Sequence, residues 1–169
     1  MMRESLYGID SGHPQAELRN ALHLGPELLR RSAVARALAK GALIDAPTMS
    51  DGSTLLMVAC SCGHTDRVRL LCEFGADVGA RRLDGATALW CTGAEHGQHQ
   101  EAMALLLGHG AEPKDCGPAG ASLGVWLAEQ ERAGRDAFGS LPQRRALLEQ
   151  REVGLSVASG SAPSRPLRM

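Results

Sequence analysis

The chain has 169 residues, with 18 basic against 19 acidic side chains and a formal net charge of −1. This balance excludes a global positive field of the kind that draws a protein to nucleic acid or to an anionic membrane surface. Two Trp, two Phe and one Tyr stand against 20 glycines, so the core must consist of Ala, Leu, Val and other small side chains. Such a core suits short, closely stacked helices.

Secretion and membrane insertion are both disfavoured by the sequence. The segment Met1–Gly8 has no apolar core of signal-peptide length, and no window approaches the ~18 apolar residues of a membrane span. The five cysteines are odd in number and lack a framework-like spacing, which favours reduced thiols. We therefore expect a cytoplasmic protein, with a nuclear location as the alternative.

Three segments differ in composition along the chain. Residues 1–15 are polar and contain Gly8, Gly12 and Pro14, so a flexible leader is predicted. Ser, Pro, Gly and Ala dominate residues 153–169, where too little apolar surface is present to offset the entropy of ordering, and disorder is predicted. The folded domain is expected at residues 16–152.

The first block of that domain, Leu18–Ala46, is predicted to be an incomplete helical unit with apolar positions at Leu22, Val34 and Leu38. The clearest unit follows at Asp51–Ala80. Its first helix is predicted to begin after Thr54, whose side chain can accept from a first-turn N–H, and to end at Gly63.

Asp66 is predicted to open the second helix of this unit, and Gly75 to close it. The spacing i, i+3, i+4 predicts one buried face on each helix, made of Leu56, Ala59 and Cys60 in the first and Val68, Leu71 and Cys72 in the second.

This pattern returns 33 residues later, where Asp84-Gly85-Ala86-Thr87-Ala88-Leu89 matches Asp51-Gly52-Ser53-Thr54-Leu55-Leu56. A fixed period of this size indicates a solenoid, in which each unit buries its apolar face against its neighbours. The second unit is predicted to bury Leu89, Thr92, Met103, Leu106 and Leu107 and to end at Gly110. A final capping helix pair is predicted at Ser122–Gln130 and Gln143–Glu152.

The motifs Asp-Gly-x-Thr-x-Leu, Gly-His and Leu-Leu-x-x-x-Gly-Ala-Asp-Val resemble the ankyrin repeat, most strongly over residues 51–113. The resemblance implies an all-α solenoid of about three to four helix-turn-helix units with degenerate terminal repeats. It also implies a non-catalytic scaffold that binds another protein, without a cofactor or metal, and we expect a monomer. Arg67 departs from the family pattern because it occupies a position that is usually apolar.

In this family, partners usually meet the loop tips and the exposed face of the first helix of each repeat. The resemblance therefore implies contact positions at Ser50, Asp51, Ser53, Ser61, Cys62, Arg81, Leu83, Asp84, Ala86, Ala94 and Glu95. Leu83 is the most informative of them, because an apolar residue among charged neighbours resembles an interface anchor with a charged rim. The alternative is that Leu83 leans on its own loop.

The two tryptophans receive different interpretations. Trp126 shares an apolar stripe with Leu123 and Leu127, which predicts a core position. Trp90 lies at the start of a first helix, where it is either core or a further partner-binding residue, since tryptophan is favoured at interface hot spots.

Two chemical alternatives remain open. Gly120-Ala121-Ser122-Leu123-Gly124 fits the nucleophile motif of serine hydrolases, but that motif needs a buried strand before the serine, and the Pro-containing segment upstream does not predict one. Ser122 as a helix N-cap is the favoured interpretation.

A thiol- or zinc-responsive scaffold is the other alternative. Cys60-Ser61-Cys62-Gly63-His64 could form a metal site with His96 and His99, although Cys60 and His64 also have structural places in the repeat. The three arginine pairs at 30–31, 81–82 and 144–145 are dispersed and are predicted to be solvated surface positions.

Overall fold

Successive helix pairs make up the chain. The computed structural model describes residues 13–23, 26–94, 99–114, 116–135 and 141–159, and these ranges contain helices and turns but no strand. The helices are α1 (Pro14–Ala21), α2 (Glu27–Ala39), α3 (Leu55–Ser61), α4 (Thr65–Glu73), α5 (Ala88–Ala94), α6 (Gln100–Gly108), α7 (Leu123–Arg132) and α8 (Leu141–Ser159). The predicted all-α solenoid of about three to four helix-turn-helix units is confirmed.

The helices are arranged in pairs and rows. α1 packs on α2, α3 on α4, α5 on α6 and α7 on α8, while α3, α5 and α7 form one row and α4, α6 and α8 the other. Across the described ranges, every helix is too short or too polar to traverse a bilayer.

The predicted helix ends of the first clear unit are largely confirmed. Thr54 is the N-cap of α3, and its Oγ1 accepts from the backbone N–H of Met57 at 3.4 Å. Gly63 follows α3 with φ of +68°, a left-handed conformation that glycine adopts without a Cβ penalty. α4 begins at Thr65, one residue before the predicted Asp66.

The apolar faces predicted from the spacing are buried. They join one continuous core that runs from Leu18 in α1 to Leu148 in α8. The core members on α3 to α6 include all the predicted apolar positions: Leu56, Ala59, Cys60, Val68, Leu71, Cys72, Leu89, Met103, Leu106 and Leu107. Since α3 to α6 have only seven to nine residues each, this part of the fold depends on packing rather than on the stability of single helices.

The prediction that the arginine pairs lie on solvated surfaces is wrong for two of their members. Arg30 and Arg144 are buried, with 8% and 4% of their surface exposed. Arg30 pairs with Asp66 across the first two helix pairs. Arg144 donates to the carbonyl oxygens of Thr92 and Gly93 at 2.9 and 3.2 Å. Both guanidinium groups join neighbouring units, because their long side chains reach polar atoms that the next unit leaves at its edge.

The helical region extends beyond both predicted boundaries. α1 begins at Pro14, inside the predicted leader, and the side chain of Gln15 forms hydrogen bonds with both backbone groups of Leu43. α8 continues to Ser159, seven residues past the predicted end of the folded domain at residue 152. Once α8 is nucleated by its packed first half, each further residue adds one hydrogen bond, and the next proline is Pro163. Residues 1–12 and 160–169 lie outside the described ranges.

Candidate interaction surface

Two loops, finger 1 (residues 48–53) and finger 2 (residues 81–86), precede α3 and α5 and are closed by the same chemistry. In finger 1, the Asp51 carboxylate accepts from the backbone N–H and the hydroxyl of Ser53 at 2.9 and 2.8 Å. In finger 2, the Asp84 carboxylate accepts from the N–H of Ala86 at 3.0 Å. The repeated Asp-Gly motif therefore closes each loop by an aspartate that bonds two residues ahead.

The two fingers are joined to each other. The N–H of Leu83 donates to the carbonyl oxygen of Asp51 at 2.9 Å. The Arg82 guanidinium lies 2.8 Å from the Asp84 carboxylate and 3.9 Å from that of Asp51. Hydrogen bonding from Arg82 lowers the pKa of Asp84, and hydrogen bonds from Ser53 lower the pKa of Asp51. Both carboxylates are therefore ionised at neutral pH and compensated within the fingers.

Leu83 projects from the tip of finger 2. Its surface is 83% exposed, the largest value among the big apolar side chains of the described residues. Its Cγ comes close to Gly52, where an added Cβ would lie 3.3 Å away. Leu83 therefore approaches finger 1 rather than only its own loop and still presents most of its surface to solvent, and its role as an interface anchor stays a prediction.

The twelve predicted contact residues do not form one accessible set. Six are exposed and remain candidates: Ser50, Asp51, Cys62, Arg81, Leu83 and Asp84. Ser61 is half-buried, Ala94 ends α5, and Glu95 lies outside the described residues. Ser53 and Ala86 are not accessible contact positions, because they are only 6% and 0% exposed. Each sits where its finger turns back into the helix, held by the preceding aspartate.

Trp90 is not an accessible contact residue either, because only 8% of its surface is exposed. Its ring packs against Trp126 with 5.8 Å between ring centroids and a tilt of 60°, an edge-to-face type of arrangement. The ring also covers Gly117, where a Cβ would come within 2.4 Å of it. Trp90 therefore belongs to the junction between the last two helix pairs, and Trp126 packs against the core as predicted.

The local structure does not provide the setting that a nucleophile elbow needs. A 3-10 turn at Pro118–Gly120, rather than a strand, precedes Ser122, and Ser122 stands at the N-cap of α7. The predicted N-cap position of Ser122 is confirmed, although its side chain makes no capping hydrogen bond.

The cysteine-rich segment does not form a metal-ligand cluster in the described part of the chain. Cys60 is buried in the core while Cys62 is exposed, and no three His, Cys, Asp or Glu side chains of the described residues are placed to hold an ion. His96 lies outside those residues. Burial raises the pKa of Cys60 and raises that of Cys72 to about 11, so both thiols stay protonated at neutral pH.

A family model of ankyrin repeats, in three copies, matches residues 28–115, which is just over half of the chain. The chain belongs to the ankyrin-repeat family. The matched range begins within α2 and includes both fingers and the helices α3 to α6.

A groove of about 500 Å³ lies between the α1–α2 pair and the α3–α4 pair. Its floor is apolar and consists of Leu22 from the turn after α1 together with Leu55, Val58 and Ala59 from α3. Met49, from finger 1, lies at its edge and is 56% exposed. The volume falls within the ~300–1,000 Å³ that is typical of ligand sites.

The rim of the groove is polar and basic. Arg19 and His23 belong to α1 and the turn after it, and His64 and Arg67 belong to the start of α4. Cys62 also lines the groove, which makes it the one predicted contact residue found there. No aspartate or glutamate is among the twelve described residues that line the groove.

Sequence reasoning missed this groove although it noticed one of its residues. Arg67 occupies a repeat position that is usually apolar. The residue at the same position of the next repeat, Ala102, lies 35 residues later and is fully buried. A small buried residue lets two ankyrin units close together, whereas an arginine at that position needs space and water. The departure at Arg67 was thus the available signal.

Proposed function

We propose that the chain is a non-catalytic protein-interaction module whose partner protein docks on the finger tips around Leu83. The observation that carries this proposal is the exposure of Leu83, 83% of whose surface faces solvent at a tip fixed by hydrogen bonds. An exposed leucine alone is ordinary. A leucine held on a rigid loop of an ankyrin repeat is a candidate anchor.

The tip is organised before any partner arrives. The Asp51 and Asp84 turns, the bond from Leu83 N–H to finger 1, and the Arg82 ion pairs fix the backbone of both fingers. Binding to such a surface loses little loop entropy. Because Arg82 is compensated within the fingers, the affinity of this surface should come mainly from burying Leu83.

The partner class that fits is another protein. The near-neutral charge of the chain gives no support for nucleic acid or an anionic membrane as the partner. None of the five cysteines forms a disulfide bond, in keeping with a reducing compartment such as the cytoplasm or the nucleus. We propose that the module acts there as a monomer.

The test is affinity capture from an extract of the source cells, comparing the wild-type chain with Leu83→Glu, followed by reconstitution with the purified captured protein. Burying a leucine side chain contributes about 1.5–3 kcal/mol, so Leu83→Glu should weaken binding by at least ~10-fold.

Leu28→Glu is the matched control, since Leu28 is 78% exposed but lies on α2, away from the fingers. The expected result is a partner retained by wild type and by Leu28→Glu but lost by Leu83→Glu, with unchanged helicity in all three chains. Equal retention by the two variants would show that the finger tip is not the docking surface.

A further inference from the structure

We propose that the groove between α1 and α3 binds a peptide segment of a protein partner in which an apolar side chain is flanked by acidic residues. This inference rests on the proposed function and names the chemistry of a second surface on the same module. It goes beyond the finger tips, whose charges are already compensated.

The apolar floor of the groove suits the apolar side chain of the proposed peptide. Leu22, Leu55 and Ala59 are buried at its base, and Val58 is half-buried beside them. A cavity of about 500 Å³ with such a floor accommodates a large apolar side chain together with a short stretch of backbone.

The basic rim of the groove suits the acidic residues of the proposed peptide. Arg19 and Arg67 line the groove, and neither forms an ion pair with a carboxylate of the described residues. The carboxylates closest to them in sequence are already engaged, since Glu17 pairs with Lys40 and Asp66 with Arg30. Within the described residues, the rim of the groove therefore carries two arginine charges that no carboxylate contacts as an ion pair, and an acidic ligand would supply that contact.

Two further features favour a peptide over a compact small molecule. The side-chain amide of Asn20 lines the groove and makes no hydrogen bond to another described side chain or backbone group, so it can pair with a peptide bond. Thr48 and Met49 belong to finger 1, whose other end contacts Leu83. One extended partner segment can thus run from the groove along finger 1 to the tip.

The probe is a fluorescein-labelled eight-residue peptide with one central leucine and glutamates on both sides, compared with the same peptide carrying lysines in place of glutamates. Binding is measured by fluorescence anisotropy on the full chain. The rate at which Cys62 reacts with a thiol reagent gives a second readout. Cys62 is the one exposed cysteine of the five and lies in the groove, so an occupied groove should slow its reaction.

Arg67→Gln and Arg69→Gln are matched variants on the same helix. Arg69 pairs with Glu101 and does not line the groove. We expect Arg67→Gln to weaken binding of the acidic peptide by about fivefold, and Arg69→Gln to leave it unchanged. Val58→Asp should abolish binding, and raising the salt from about 50 to about 500 mM should weaken it.

Several results would overturn the inference: no binding of the acidic peptide up to about 1 mM, equal binding of the lysine peptide, equal effects of the two arginine variants, or no protection of Cys62. Cys62 already protected without peptide would assign the groove to another part of the chain in a monomer, or to a second copy in a dimer. A partner lost by Leu83→Glu but kept by Arg67→Gln and Val58→Asp would leave the proposed function standing and refute the groove alone.

Discussion

Replacing Arg144 by methionine should destabilise the domain far more than the same replacement at Arg145. Arg144 is 4% exposed, and its guanidinium donates to the carbonyl oxygens of Thr92 and Gly93. Both carbonyls lie in the last turn of α5, where a helix leaves its C=O groups without partners of its own. Methionine keeps much of the apolar stem and removes the donors.

The size of the effect follows from these two hydrogen bonds. A hydrogen bond from a charged donor contributes about 1.5–3 kcal/mol, so two of them contribute roughly 3–6 kcal/mol. In Arg144→Met, part of this lost stabilisation is offset because no guanidinium has to be dehydrated on folding. We therefore expect the free energy of unfolding to fall by about 2–4 kcal/mol. For a domain of this size the Tm should fall by roughly 5–15 °C.

Arg145 is the control because it differs in burial and not in side chain. It pairs with Glu131 at 2.6 Å and Glu149 at 3.2 Å, and its side chain is 42% exposed. Such pairs are worth about 0–1 kcal/mol. Urea unfolding at neutral pH, followed by far-UV circular dichroism, gives both free energies. Equal losses for Arg144→Met and Arg145→Met would refute the idea that a buried arginine caps α5.

Three other changes test separate features. Thr54→Val should cost about 1 kcal/mol because it removes the cap of α3. Thr87→Val should be neutral or stabilising, because the buried Thr87 hydroxyl has no hydrogen-bond partner among the described residues; thermal melts compare the two variants. Arg30 lowers the pKa of Asp66, so this pair stabilises the fold above the ordinary aspartate pKa of about 3.9, and the stabilisation is lost as the pH falls below that value. Asp66→Asn should therefore reduce the loss of stability at acidic pH, and an unchanged loss would contradict the pairing. A thiol reagent should modify Cys62 quickly in the native chain and all five cysteines only after denaturation, and fast reaction of two or more would contradict the observed burial.

Local sequence signals were sufficient for the repeating part of the fold. Thr54, Gly63 and Gly75 mark helix ends through capping and backbone conformation, and both effects act within a few residues. The apolar spacing then identified the buried faces, since each face is set by helix geometry alone. The 33-residue period supplied the stacking.

The parts that could not be predicted depend on contacts between units. Arginine is usually a surface residue, and nothing near Arg144 in the sequence shows that α8 will place it against the end of α5. Trp90 is buried because Gly117, in the next unit, leaves room for its ring. The groove depends on how α1 stands relative to α3, and the one local sign of it was Arg67.

The placement of the two tryptophans has a spectroscopic consequence. Trp90 and Trp126 are the two tryptophans of the chain, and they face each other across one junction, between α5 and α7. Intrinsic emission therefore reports whether the C-terminal helix pair is docked, while far-UV ellipticity reports the sum over all units. Because a solenoid is stabilised by nearest-neighbour interfaces, its end can separate before its middle melts. In that case the emission transition would precede the ellipticity transition, and the gap between them would measure how cooperatively this short array unfolds.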